Sequence, residues 1–484
     1  METRLGWSFL LLACFTLFHR ISAAESPSEM ANVLAGTFNN YDISTGGNMP
    51  LMARPFGFNH WSVATTMRDG RLDFSPASSD FYGILCTHQP SWWIGDYGYF
   101  LILPNVNTPL TSFITLPGAS FFRPDQTVYR PYYFRTSLVN SAPVAGYGYV
   151  VTEMTPTDHA AALRFRFVSE GKKQIIFRNS RDLVLLSKPD EVSRIAFTIN
   201  VNSGGVPANF RMFVVIDAKP LPVSVTLDTL LPRDAVLSFD VADGNSTTTV
   251  VEVRVATSFI SEAQAWLNLR REAPWTRTFG FLKQQGKGVW DERMSSIQID
   301  PGLNSNTFRR TFYTNYYRSL LFPRLLTELN ETDTKVHYSP YTGRVHPGEL
   351  AADSGFWDSY NTVYLWLDLA APDVLARLLE GWVNAYKEAG WLPTWPSPGE
   401  RQSMIGTMGD VVFAWAIVSG KASKEAKLAM YQAIRQDAFG ESSESSPFGR
   451  ACSKDYDEKG FFLPSECPDC VSRALMNMVA DSAI

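Results

Sequence analysis

The chain has no excess of basic residues: 43 Lys and Arg stand against 48 Asp and Glu, for a formal net charge of −5. Without a basic footprint, nucleic acids and other polyanions are not expected partners. Long apolar runs are equally scarce. Past the N-terminal stretch no segment reaches the roughly 18 residues a membrane-crossing helix needs, so no membrane partner is expected once a signal has been removed. There is no Gly-rich phosphate loop, no nucleophile elbow and no His-x-x-x-His pair, which removes nucleotide-dependent enzymes, α/β-hydrolases and dedicated histidine metal cages from the natural readings. Internal repeats are absent, and the only low-complexity segment is the short Glu441-Ser-Ser-Glu-Ser-Ser446 loop.

What the chain does have begins with an address. Arg4 precedes a mostly apolar run from Leu5 to Phe18, and Ser22-Ala23-Ala24 supplies small residues for signal peptidase. A signal peptide over 1–24 and a secreted location, or the lumen of the secretory or endolysosomal pathway, are expected. Of the five cysteines, Cys14 would leave with the signal, and Cys86, Cys452, Cys467 and Cys470 would remain in an oxidising compartment. A disulfide from Cys452 to Cys467 or Cys470 is expected. Asn245-Ser-Thr and Asn330-Glu-Thr are N-glycosylation sequons.

From about residue 25 to 260 the pattern is short, alternating and β-branched. Examples are Val150-Val-Thr-Glu-Met154, Ala161-Ala-Leu-Arg-Phe-Arg-Phe-Val168, Phe210-Arg-Met-Phe-Val-Val-Ile216 and Val250-Val-Glu-Val-Arg-Val255. Period-2 alternation punctuated by Asn-Ser-Gly-Gly and Asp-Gly-Asn-Ser clusters predicts an antiparallel β-sandwich. The period changes at Ser261. A helical linker is expected over 261–301, followed over 302–484 by helices at Thr311–Leu329 (kinked or broken at Pro323), Val363–Leu369, Pro372–Ala389, Asp410–Val418 and Ser423–Gln436, with Ser261, Asp410 and Ser423 as N-caps. The fold class is therefore β + α, a sandwich followed by an aromatic-rich helical array of the kind that builds an (α/α)6 toroid. About half the helices of such a ring are countable before Ile484.

Three islands stand out: Gly83-Ile-Leu-Cys-Thr-His-Gln-Pro-Ser-Trp-Trp-Ile-Gly-Asp-Tyr-Gly-Tyr-Phe100; Tyr338-Ser-Pro-Tyr-Thr-Gly-Arg-Val-His-Pro-Gly-Glu-Leu350 with Ser354-Gly-Phe-Trp-Asp-Ser-Tyr360; and Gly390-Trp-Leu-Pro-Thr-Trp-Pro-Ser-Pro-Gly399 with Met404-Ile-Gly-Thr407 and Asp410. Their order and spacing resemble glycoside hydrolase family 92, the calcium-dependent α-mannosidases. Asn48-Met-Pro and Arg54-Pro-Phe-Gly-Phe58 fit more loosely, and the resemblance extends over nearly the whole mature chain.

The resemblance implies an inverting, exo-acting hydrolase of mannosyl-oligosaccharides such as N-glycans, with calcium as cofactor and mannose-containing glycans as partners. By resemblance, Trp357 and Asp358 contact the mannose in the −1 subsite, Asp358 accepting hydrogen bonds from ring hydroxyls, and Trp93 and Asp96 meet the sugar from a Pro- and Gly-rich loop. Other readings stand beside these: Asp358 as an N-cap, Trp357 as a core ring, Trp93 and Asp96 as a structural turn, and His88 as a hydrogen-bonded loop residue. The family's acid sits in a Gly-Asn-Glu-Pro-Ser-His-His motif and its base in an acidic pair. Neither is found here, so no catalytic residue or metal ligand is assigned, and their place is expected beyond Ile484. Asn361 and Trp415 stand where the family has Arg and Asp. An α-mannosidase-like chain that is inactive or incomplete as it stands, and a non-catalytic mannose-binding pseudoenzyme, are the two functional expectations.

Overall fold

The computed structural model describes residues 25–484 except 39–46, 69–70, 89–94, 107–119, 140–148, 169–172, 179–182, 187–192, 201–204, 229–233, 241–247, 303–304, 402, 441–446, 453–455, 457 and 466. The expected signal peptide, the Asn245 sequon and Trp93 lie outside the described residues.

The alternating segments form two antiparallel sheets. One runs His60–Ala64, Gly83–Thr87, Phe100–Val106, Lys173–Arg178, Asp234–Phe239, Ser224–Asp228 in spatial order. The other is centred on Thr248–Ser258, flanked by Met212–Lys219 and by Ala160–Val168, with Tyr149–Pro156 and Tyr133–Val139 beyond the latter. Alternation gives each strand one face for burial, and the two inner faces meet through aromatic rings. Phe197 of the second sheet lies edge-on to Phe100 of the first, with centroids 5.8 Å apart, and against Phe177 at the same distance. Such pairs add about 0.5–1.5 kcal/mol beyond the apolar area they bury.

Helices take over at Ser261, whose hydroxyl accepts from the Gln264 amide and caps α1 (Glu262–Glu272). Next come α2 (Phe279–Met294) and α3 (Asn306–Ser319), capped by Thr278 and Ser305. The helix expected from Thr311 to Leu329 is corrected: α3 ends at Ser319, and Arg324–Leu325 is extended and pairs with Ala351–Ala352. Pro323 has no N–H to continue the ladder and pushes the residue before it out of the α region. The remaining helices are α4 (Phe356–Ser359), α5 (Val363–Ala370), α6 (Pro372–Ala389), α7 (Gly409–Val418), α8 (Lys424–Phe439) and α9 (Cys470–Ala483).

Ser423 caps α8 as expected, its hydroxyl accepting from the Ala426 amide. Asp410 does not cap α7; Met408 holds that position, and the Asp410 carboxyl turns inward instead. Helix α6 buries Leu375, Leu378, Leu379 and Trp382, and Gly381 lets the second island lie directly on it: a Cβ there would stand 2.5 Å from the Ala351 amide. The disulfide joins Cys452 to Cys467, with Cys86 and Cys470 as free thiols.

Ion pairs tie the helices to one another and to the sandwich. Arg293 on α2 grips Asp373 on α6 with two bonds of 2.7 and 2.8 Å. His159, at the turn into a sandwich strand, shares its Nδ1 with Glu272 of α1 at 2.6 Å and its Nε2 with the Thr327 carbonyl at 3.0 Å. Burial pulls the His159 pKa down, but the Glu272 charge and hydrogen bond prevail and raise it to about 9. A folded-state pKa above the ordinary 6.5 stabilises the fold below that pH, and the benefit is lost as pH rises through 9. His159→Gln should therefore cost about 3 kcal/mol near pH 6 and progressively less toward pH 9.5. Denaturant unfolding of both proteins across that range measures the difference; a penalty independent of pH would show that His159 is held as the neutral ring.

Candidate functional site

The three islands are far apart in sequence and meet at one carboxylate. Asp353, between the two runs of the second island, holds φ at +58°, an uncommon conformation for a residue other than glycine. Its Oδ2 accepts from Arg324 Nε at 2.6 Å and from the Tyr97 hydroxyl of the first island at 2.8 Å. Its Oδ1 accepts from the Ser397 hydroxyl of the third at 2.7 Å. The Asp353 amide donates to the Pro396 carbonyl, also at 2.7 Å. Both side chains of the Arg324–Asp353 pair are fully buried, and the guanidinium also reaches the Phe58 carbonyl and His60 Nδ1.

The first island closes on itself. Asp96 Oδ2 accepts from the Thr87 hydroxyl at 2.6 Å, and Oδ1 accepts from the His88 and Tyr97 amides at 2.8 and 2.7 Å. Burial pushes its pKa up to about 7 against the pull of those bonds. Asp96 was expected to meet a sugar; in the fold its oxygens accept from three donors of its own island. His88 has a similar part. Its Nδ1 bonds the Tyr97 carbonyl at 2.7 Å, its ring stacks on Tyr97, and burial followed by the Arg324 charge holds its pKa well below the usual value. Arg401, just past the Pro-rich run of the third island, donates to the Gly95 carbonyl of the first at 3.1 Å.

The second island then turns outward. Gly355 precedes α4 and lies flat beneath the Trp395 ring; a Cβ at that position would stand 2.5 Å from the indole. The close contact stacks the second and third islands, and past the buried Phe356 the side chains of Trp357 and Asp358 stand at the surface. Trp357 is 37% exposed. Asp358 is exposed, and its carboxylate bonds to no described residue. Partial burial raises its pKa. Asp358 is not the N-cap of α4, a position that Gly355 holds. The other island acids are occupied: Glu349 by Lys335 and Arg377, Glu400 by the Thr394 hydroxyl and amide, and Asp410 by Thr407.

Beside the third island a cavity of about 300 Å³ is lined by Thr394, Met404, Thr407, Arg450, Arg473 and Asn477. Sequence reasoning missed Arg324, Tyr97, Asp353 and Ser397 as the residues that organise the site. The only available signal was that Tyr97 and Ser397 fall inside the quoted islands and Asp353 between the two runs of one. Removing one partner of the buried pair leaves an uncompensated charge, so Asp353→Ala should cost about 3–5 kcal/mol. The double variant Arg324→Met/Asp353→Leu should cost less than that single change. Urea unfolding of the three proteins checks the order; equal penalties would mean that the pair contributes by packing alone.

Comparison with known proteins places this geometry. The glycosyl hydrolase family 92 N-terminal domain matches residues 30–258, and the family 92 catalytic domain matches 264–484. A family 92 inverting mannosidase from Bacteroides thetaiotaomicron superposes with a TM-score of 0.83 at 27% identity, covering 94% of this chain and 61% of that one. A family 92 α-mannosidase from the same organism superposes at 0.80 with 19% identity, covering 95% of this chain and 62% of its own, and shares the fold. A secreted glycosidase of Arthroderma benhamiae is 25% identical over 378 residues, 71% of this chain and 43% of its own. The chain thus spans about three fifths of the solved relatives and under half of the curated one. With two family domains in order, and a sandwich and helical array that overlay a family member, the chain belongs to glycosyl hydrolase family 92.

Proposed function

We propose that this chain handles the terminal mannose of mannosyl-oligosaccharides, and that Trp357 and Asp358 form the grip on the sugar. The observation that carries the reading is an exposed indole next to an exposed, unpartnered carboxylate, both held at the point where the three islands converge. A pyranose offers an apolar C–H face to a ring and adjacent hydroxyls to a carboxylate, and hydrogen bonds to a charged acceptor contribute about 1.5–3 kcal/mol. Among family relatives, one solved structure is an inverting mannosidase and another is an α-mannosidase in complex with mannoimidazole. Trp93 lies outside the described residues, and a contact from it to the same sugar is part of the proposal on family resemblance alone.

Hydrolysis with inversion uses two carboxyl groups about 6.5–9.5 Å apart, one protonating the leaving oxygen and the other activating water. Among the described island residues Asp358 is the one carboxylate without a partner. This favours a second reading, in which the described residues bind mannose without turning it over. Family resemblance implies calcium, but among the described residues no three His, Cys, Asp or Glu side chains come together to hold a metal. The Cys452–Cys467 disulfide supports a secreted or luminal location, and no helix among the described residues is long and apolar enough to cross a membrane.

Titration with methyl α-mannoside tests the grip. Asp358→Ala should weaken binding at least tenfold and Trp357→Ala by a similar factor, while Asp358→Asn, which keeps one acceptor, should lose less. Unchanged affinity in both alanine variants would refute the site. Release of mannose from an α-mannosyl disaccharide, followed with calcium and with chelator, separates hydrolase from binder: turnover supports the first reading, and saturable binding without turnover the second.

A further inference from the structure

Behind the wall of the 300 Å³ cavity lie two acids that the sugar grip does not use. Asp410, in the first turn of α7, and Asp437, near the end of α8, are both fully or almost fully buried. Asp410 Oδ2 accepts from the Thr407 hydroxyl at 2.6 Å, whereas its Oδ1 has no donor. No donor meets either oxygen of Asp437 with full hydrogen-bond geometry, and the Leu392 amide alone is placed to favour its charge. A bare carboxylate sealed in protein costs several kcal/mol, and a second one against it is worse, because adjacent like charges in low dielectric do not both ionise. One proton resolves both problems. It makes Asp437 a donor and gives the free oxygen of Asp410 the partner it lacks.

The other charged groups facing the pair fix which acid keeps the proton. Arg450 Nη2 lies 3.5 Å from Asp410 Oδ2, its Nε donates to the Thr407 hydroxyl at 3.3 Å, and its Nη1 holds Asp481 of α9 at 2.5 Å. The guanidinium therefore favours negative charge on Asp410 and leaves Asp437 as the acid. Arg473 of α9 is turned to the Pro468 carbonyl. From α6, the Tyr386 phenol is pushed up by burial and then by Asp437. Burial raises the affinity of both acids for the proton, with the Asp410 charge adding to it at Asp437.

We propose that Asp410 and Asp437 share a single proton, with Asp437 donating to Asp410. Through Thr407 and Arg450 this proton latches α9 and the segment around the Cys452–Cys467 disulfide against the third island. Loss of the proton puts two negative charges in one dry site and draws Arg450 from Asp481 toward them, which releases α9. The device is independent of the mannose reading, because it concerns only how this part of the fold is held together.

A pair that keeps its proton in the folded state stabilises the fold fully below the ordinary carboxyl pKa of about 4, and loses that benefit as pH rises from there to the raised pKa of the buried pair. The test compares denaturant unfolding of the full chain with Asp437→Asn, whose amide donates to Asp410 but cannot ionise. From about pH 5 upward, where an unfolded carboxyl has lost its proton and the folded pair has not, the folding constant of the native protein should fall relative to the variant by up to tenfold per pH unit until the pair ionises. The infrared carbonyl band of an un-ionised carboxylic acid should be present in the native protein at pH 6 and weaker in the variant. Asp410→Asn, which removes the like charge and leaves Asp437 buried, should reduce the pH dependence without abolishing it and serves if the first variant does not fold. Parallel stability curves from pH 5 to 9, or the same carbonyl band in native and variant proteins, would overturn the proposal.

Discussion

A guanidinium and a carboxylate that never meet solvent organise this molecule. Arg324 and Asp353 lie between the sandwich and the helices, and each reaches into both. In a dry site such a pair contributes little net stability, because its mutual attraction is spent on the cost of removing both charges from water. What it supplies is geometry. Tyr97 and Ser397 must point at the same carboxylate, and the backbone at Asp353 accepts a left-handed conformation to present it. Three loops from distant parts of the chain are thereby fixed relative to each other, and Trp357 and Asp358 emerge from the fixed point.

The same logic separates the acids of the islands into two kinds. Asp96, Glu349, Asp353 and Glu400 have their oxygens filled by hydroxyls, amides or cations, and they build the site. Asp358 is unfilled and faces solvent. A carboxylate that already accepts three hydrogen bonds has little left to offer a ligand, whereas a free one can take two hydroxyls. Satisfaction of hydrogen-bonding capacity therefore distinguishes scaffold from grip better than residue type does. Asp437 is neither kind, and a proton supplies what protein donors do not.

Much of the fold was legible in the sequence because its signals are local. Alternation marked Val150–Met154 and Ala161–Val168, and Pro372 and Gly390 bracket α6 at both ends. The error at Thr311–Leu329 shows where locality ends: Pro323 advertised a break, but the extended path beyond it is set by pairing of Arg324–Leu325 with Ala351–Ala352, some 27 residues away. Asp410 failed as a cap for a similar reason, since its carboxyl answers to Thr407 and Asp437 rather than to the amides of its own helix. Site residues were half legible. Trp357 and Asp358 could be read from their motif, but Asp96 stood in an equally suggestive motif, and only its three-dimensional partners reveal that it is committed to the loop.

The account reduces to one spatial claim, that the pair at 357–358 faces a hexose. The most direct measurement is a crystal structure of the chain with mannose bound. The account predicts the pyranose against the face of the Trp357 indole, with two hydroxyls donating to the Asp358 carboxylate. A sugar bound elsewhere, with Trp357 and Asp358 untouched, would contradict it.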